Sequence, residues 1–244
     1  MSNTPSTESL VADAIAAIWQ DAARQGVQLP SEPDIASATG RSRPVVREAL
    51  IRLEERGYIY RSQGTGTAVN QELLHVKARI DEQVDHSDVI ARAGMTPAMR
   101  VVRQELSPVT AEESEQFRVA AGTPTLRTVK AWLADDVPVA LASDSIPFRG
   151  SVEPSVSVDT AVPVFELAAR IGTGKAVWET VWVKPVLLDA TEQWMLGLNE
   201  VTPAVCLTLH GLDSRGATTY WARELQLDGP VDFAMVRPVR NTNR

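Results

Sequence analysis

The sequence predicts an α+β chain in two parts, a small helical unit closed by a glycine-tipped hairpin and a larger body that alternates strands with helices. Three observations carry this. Residues 29–69 read in order as helix, turn, second helix and hairpin; the pattern beyond about residue 97 becomes short alternating strands with capped helices between them; and 244 residues at 44% hydrophobic content are enough for two separate cores. The expected division is 1–70 for the first unit, 71–97 for a charged, weakly periodic linker, and 98–244 for the second.

The first unit is read position by position. Residues 8 to 24 supply a helix with Leu10, Val11, Ala14, Ile15, Ile18 and Trp19 facing inward. Ser31 starts the next helix, with Asp34 three residues on as a shortened capping box and Ile35 and Ala36 inward. Thr39 and Gly40 turn the chain. In the third helix Ser42 is the N-cap, Pro44 sits in the tolerant first turn and Gly57 is the stop. Val46, Ala49, Leu50 and Leu53 recur at helical spacing and form the buried stripe. Arg43 and Arg47 are four apart, so both leave the core on one face near the helix N-terminus. Tyr58–Arg61 and Thr67–Val69 then pair around glycines that permit a tight wing. Helix, turn, arginine face and wing in this order make a winged helix-turn-helix, the arrangement that lays a recognition helix in the major groove of double-stranded DNA.

The same residues carry a family resemblance. Leu29-Pro30-Ser31-Glu32, Ser42-Arg43, Arg47, Ala49-Leu50, Gly57 and Gly64-Thr65-Gly66-Thr67 resemble the DNA-binding domain of the GntR family of bacterial transcription regulators. The resemblance implies DNA contacts from Ser31, Ser42, Arg43, Arg47, Thr65 and Gly66. One departure stands out: the arginine that the family places after the glutamate is Pro33 here, which cannot donate to a phosphate. Arg41 and Arg61 flank the site and are expected to replace that contact.

Charge favours a specific-site binder over a nucleic-acid coat. The chain carries −7, yet three arginines and no acid lie between Arg41 and Arg47, so the positive field is local. The lone Cys206 in an apolar strand reads as a buried thiol, and no intrachain disulfide is possible. With no apolar run long enough to span a bilayer and no secretory signal, the expected location is the cytoplasm, with no membrane partner.

In the second body the expected elements are a short helix Val89–Ala93 capped by Ser87 and Asp88 and ended by Gly94, a strand at Arg100–Leu106 and a helix at Thr110–Val119. A hairpin follows, Leu126–Ala134 and Val137–Ile146, turning at Asp135-Asp136. Then come a helix at Val164–Arg170, a strand at Lys175–Val186, a helix at Asp189–Leu196, and strands at Ala204–Leu212, Thr218–Leu227 and Phe233–Val239. Gly122-Thr123-Pro124, Ala134-Asp135 with Pro138, and Ile146-Pro147 resemble the UTRA domain of the HutC-type branch, a mixed α/β fold similar to chorismate lyase. The resemblance implies a homodimer whose second domain binds a small effector, often a phosphorylated sugar or another small anion.

Pocket positions carried over from that resemblance are Ser87, Asp88, Lys130, Trp132, Asp144 and Tyr220. An arginine-x-arginine pair of the phosphosugar-binding members falls at Lys130 and Trp132, a glutamate at Ala142, and a later acid at Tyr220 beside Trp221. Fewer polar groups and more aromatics suggest an effector larger or more apolar than a sugar phosphate. Trp132, Trp178, Trp182 and Trp221 read equally well as filling of a β core. An anion, if bound, is expected at the N-terminus of the Ser87 helix, with Lys130 assisting. His75, His86 and His210 lack zinc-ligand spacing, so no metal or other cofactor is expected. Gly172-Thr173-Gly174-Lys175 lacks the spacer and hydroxyl residue of a phosphate loop and reads as a turn. No nucleophile sits beside a base. The expected function is a DNA-binding regulator, a repressor released by a small molecule; a regulator without an effector and an enzyme built on the lyase-like body are the alternatives.

Overall fold

The computed structural model describes residues 7–62, 66–149, 155, 157–171 and 174–237. They form two compact units, but the division is not the one expected from sequence. The first runs to Gln83 and takes in the segment from Phe233 on, and the second is Val84–Asp232. The expected linker 71–97 is therefore shared between the two, and the C-terminal segment leaves the second body to join the first.

In the first unit α1 (Thr7–Gln25), α2 (Glu32–Thr39) and α3 (Arg43–Glu55) pack around Ile15, Trp19, Ile35, Val46 and Leu50. Ala49 and Leu53 pack against this core at its edge, and Trp19 donates its indole N–H to the Tyr58 carbonyl at 2.8 Å. Leu10 and Val11 lie outside the described side chains. Gly40 and Gly57, at φ +65 and +78, end α2 and α3 in the left-handed conformation that a side chain would strain. The wing is β1 (Ile59–Ser62) paired antiparallel with β2 (Gly66–Val69), and Leu29 bridges to Thr67.

A 3₁₀ turn (Gln71–Leu74) leads to β3 (Ala78–Arg79), which pairs in parallel with β10 (Phe233–Ala234). Of the expected C-terminal strand Phe233–Val239, Phe233–Ala234 form a two-residue strand in the first unit, and residues 238–239 lie outside the described residues. Beyond it Val236 packs on the winged-helix core, where a Cβ built on Gly57 would come within 3.0 Å of Val236 Cγ1. Arg79 ties the region together by pairing with Asp81 and Glu82, donating to the Arg56 carbonyl at 2.9 Å and lying 5.4 Å from the Tyr58 ring.

The second unit is one antiparallel sheet in the order β4 (Pro97–Pro108), β5 (Pro124–Ala134), β6 (Val137–Pro147), β9 (Thr218–Leu227), β8 (Pro203–Leu212), β7 (Trp178–Leu187). The turn between β5 and β6 is Asp135-Asp136, both with positive φ (46° and 68°), the primed geometry that matches strand twist. α5 (Ala111–Phe117) and α7 (Ala190–Leu196) start on complete capping boxes, Thr110/Glu113 and Asp189/Glu192. They cover one face, hereafter the outer one: Phe117 stacks on Trp221 at 4.7 Å, Glu113 pairs with Arg127, and Glu192 pairs with Arg223. α4 (His86–Arg92) and α6 (Val164–Arg170) cover the inner face, where Leu126, Ile146, Leu167 and Tyr220 form a core and His86 stacks on Trp132 at 4.6 Å.

Candidate DNA interface and effector pocket

α3 presents both arginines as expected. Arg43 and Arg47 are exposed while Val46 and Leu50, between and beyond them, are 0% and 2% exposed. The Ser42 hydroxyl makes no capping bond, so it and the first amides of a 13-residue helix remain open to a phosphate oxygen. Among the described residues no acid pairs with Arg43, whereas Arg47 is held from α2: its Nε and Nη2 donate to Glu32 Oε2 at 3.1 and 3.0 Å. Ser31 caps α2 and bonds Asp34 through its hydroxyl as well.

Arg61 is not a free phosphate ligand. It lies 3.5 Å from Glu54 and 4.0 Å from Glu32, and its enclosed Nε and Nη2 have no hydrogen-bond partner among the described residues. Of the two residues expected to compensate for Pro33, Arg41 is the less encumbered: among the described residues it has no ion pair. Gly66, at φ +84, begins β2, and Thr65 lies outside the described residues.

The pocket residues from sequence mostly converge on the inner sheet face, because partners across an antiparallel ladder share a face. Lys130 is opposite Ala142, which is opposite Glu224; Thr128 is opposite Asp144. Lys130 is 0% exposed and donates to Asp144 (2.9 Å) and the Val162 carbonyl (2.8 Å), while Thr128 donates to Asp144 at 2.9 Å. Tyr220 donates to Glu179 at 2.6 Å. Trp221, its neighbour in sequence, points to the outer face, as period-two geometry requires.

Sequence reasoning missed four members of this cluster: His86, Glu179, Glu224 and Gln226. Gln226 donates its amide to His86 Nε2 at 2.9 Å and to Glu224 at 3.3 Å. Burial, helped by the nearby Asp144, raises the Glu224 carboxyl to about 8. Burial also raises Glu179 to about 7 against the opposing Tyr220 hydrogen bond, and keeps His86 neutral by lowering it to about 4. The available signal was Glu224 alternating with apolar residues along β9, an acid on a buried strand face.

Two expectations are corrected. The inner face is not short of polar groups, since Glu224, opposite Ala142, adds a carboxyl to that of the expected Asp144. Nor is the N-terminus of α4 an open anion seat. Its cap is Asp85, not Ser87, and the Asp85 carboxylate already accepts from the Ser87 amide at 2.9 Å, with Asp88 in the first turn. The tryptophans also divide: Trp132 and Trp221 are buried, but Trp178 and Trp182, on edge strand β7, are 75% and 48% exposed and neither fill a core nor line this pocket. Cys206 is buried. Gly172 and Thr173 lie outside the described residues. Among the described residues no cluster suits a metal ion, and no helix is long and apolar enough to cross a membrane.

On the outer face a cleft of about 270 Å³ is lined by Arg103, Glu105, Ser107, Arg127, Ser143 and Ser145 among others. Its Arg127 is already committed to Glu113, Ser107 and Ser145.

Comparison with known proteins decides the family. Residues 7–69 match the model of the bacterial regulatory proteins of the gntR family, and residues 92–225 match the UTRA domain. The chain belongs to the GntR family. It is 31% identical over 181 residues to the HTH-type transcriptional repressor NagR of Bacillus subtilis, spanning 73% of this chain and 72% of that one. It is 29% identical over 181 residues to the HTH-type transcriptional regulator Rv0792c of Mycobacterium tuberculosis, covering 72% and 61% of the two chains. Among solved structures, a possible transcriptional regulator YydK from Bacillus subtilis aligns over 96% of this chain and all of its own, with TM-score 0.73 at 14% identity. PhnF from Mycobacterium smegmatis aligns over 91% of this chain and all of its own, with TM-score 0.59 at 19% identity; both likenesses concern fold. This GntR protein is a DNA-binding transcription regulator with a UTRA domain of mixed helices and strands.

Proposed function

We propose that this GntR regulator is a repressor that acts as a homodimer in the cytoplasm and leaves its operator when a small molecule binds the inner face of the UTRA sheet. Two α3 helices, one per protomer, read two half-sites of a near-palindrome, with Arg43 and Arg47 on base edges and Ser42 and Arg41 on the backbone. The observation that carries this is the paired exposure of Arg43 and Arg47 beside an uncapped helix start. Effector binding that favours the DNA-free state by about 1–3 kcal/mol shifts operator affinity by roughly 5–150-fold. The buried polar cluster around Lys130 and Glu224 supports ligand recognition and offers no nucleophile with an adjacent base, so no catalytic role is assigned. Footprinting on the DNA adjoining its own coding sequence tests the reading. Two protected half-sites about one helical turn apart, or a multiple, are expected; a single unrepeated footprint contradicts the dimer, and no protection contradicts the operator.

A further inference from the structure

On the inner sheet face the lysine is spent. Lys130 Nζ is 0% exposed, and its hydrogen bonds go to Asp144 and the Val162 carbonyl. What remains on that face is carboxyl and amide oxygen, with Glu224 and Glu179 kept protonated near neutral pH by burial until a cation ionises them. Glu224 is 6% exposed; His86 lies 3.7 Å from it, held neutral by its own burial, and Lys130 acts on it only through its charge, its hydrogen bonds being given to Asp144 and the Val162 carbonyl. Gln226 is 5% exposed; its amide nitrogen serves His86 and Glu224, but its carbonyl oxygen is buried with no partner among the described residues. Glu179 adds a further carboxyl beyond, bonded by the Tyr220 hydroxyl. A buried acceptor without a donor costs free energy until a donor arrives. A phosphate placed here meets Asp144, Glu224 and Glu179, and Lys130, which could have answered its charge, is already paired. A protonated nitrogen meets the unpartnered Gln226 carbonyl oxygen and the Glu224 carboxyl, which accepts only a long bond from the Gln226 amide.

We infer that the ligand of this inner face carries a protonated nitrogen and no phosphate, with Glu224 as its counter-ion and the Gln226 carbonyl oxygen as a second acceptor. The inference rests on the reading of this face as the effector pocket and adds the chemical class. Two probes separate the alternatives on the full chain, ethanolamine and methyl phosphate, at matched ionic strength against sodium chloride. The readout is the indole N–H signal of Trp132, assigned by its loss in Trp132→Phe.

Ethanolamine shifts that signal saturably, and Glu224→Gln, which mimics the protonated acid and keeps the fold, weakens the apparent affinity by roughly tenfold or more, the scale of one charge-assisted hydrogen bond. Glu105→Gln, on the outer face, leaves the titration unchanged. Saturation by methyl phosphate in place of ethanolamine, no response to either probe, or an unchanged affinity in Glu224→Gln overturns the inference. The effector reading fails separately: ethanolamine that saturates the site without altering operator affinity refutes the effector role and leaves the ligand class standing.

Discussion

Replacing Lys130 by methionine leaves a carboxylate in the interior without its counter-ion. Asp144 is 3% exposed and accepts from Lys130 and Thr128, so in Lys130→Met it keeps one hydroxyl and loses the ammonium. The Val162 carbonyl loses its donor in the same step. Breaking a buried pair from one side costs about 3–5 kcal/mol. For a unit of this size each kcal/mol moves the midpoint by roughly 2–4 °C, so the transition of the UTRA unit falls by about 6–20 °C. Adding Asp144→Leu removes the stranded charge, and the double variant recovers part of the loss; what it does not recover comes from the Val162 carbonyl and Thr128 hydroxyl, left without their partners. The assay is equilibrium unfolding of the four proteins of a double-mutant cycle, followed by a probe confined to the sheet such as Trp132 emission. A loss under about 1 kcal/mol for Lys130→Met, or a double variant less stable than the single one, refutes the claim that this pair is dry and mutually dependent.

Stability should fall as pH rises from 6.5 to 8. Glu224 and Glu179 have folded values of about 8 and 7, above the ordinary carboxylate value of 4.5, so the stability of their protonated forms is complete below 4.5 and is lost as pH climbs through the folded values. His86, lowered to about 4 from 6.5, works in the opposite sense, losing stability as pH falls below 6.5, which is why the window above 6.5 isolates the acids. The slope is on the order of 1 kcal/mol per pH unit for each acid fully engaged, and Glu224→Gln should flatten it in urea titrations across that window; a slope unchanged by the substitution contradicts the assignment. Val236→Asp places a charge against the winged-helix core and should destabilise the first unit by about 1–3 kcal/mol, seen as weaker binding to operator and random DNA alike with the UTRA transition unmoved. Gly211→Ala brings a Cβ to 2.5 Å from the Tyr220 ring, so Tyr220 should leave Glu179; a Tyr220–Glu179 hydrogen bond retained in a crystal structure of the variant would show the packing to be looser than described.

Local chemistry in the sequence was enough for the helices and the hairpins. Ser31 caps α2 as expected, Ser42 takes the N-cap position of α3 without a side-chain bond, the helices expected to begin at Thr110 and Asp189 do begin there, and Asp135-Asp136 turns the hairpin, because each depends on residues within four positions. α4 escaped by two residues, since Asp85 and Ser87 both suit a cap and only the fold decides which carboxyl or hydroxyl reaches an amide. The C-terminal return was not legible, because a two-residue parallel pairing between Ala78 and Phe233 has no periodic signature. The pocket was half legible. Lys130 and Trp132 share a face by alternation alone, but Asp144 joins them only through the register shift between Trp132 and Leu133, and that Glu224, His86 and Gln226 join them depends on which strand lies beside β6. Sequence order suggests β7, and the sheet places β9 there. The mutual restraint of Arg47, Glu32 and Arg61 also depends on tertiary packing, as their separations along the chain follow no local rule.

The central claim is that two arginines side by side on α3 read an operator. The direct measurement is binding of the wild-type chain and Arg47→Ala to the footprinted fragment and to random DNA of equal length, at fixed salt. Loss of about 1–3 kcal/mol on the operator with little change on random DNA is the predicted result; equal losses on both would reduce Arg47 to a phosphate contact and contradict the account.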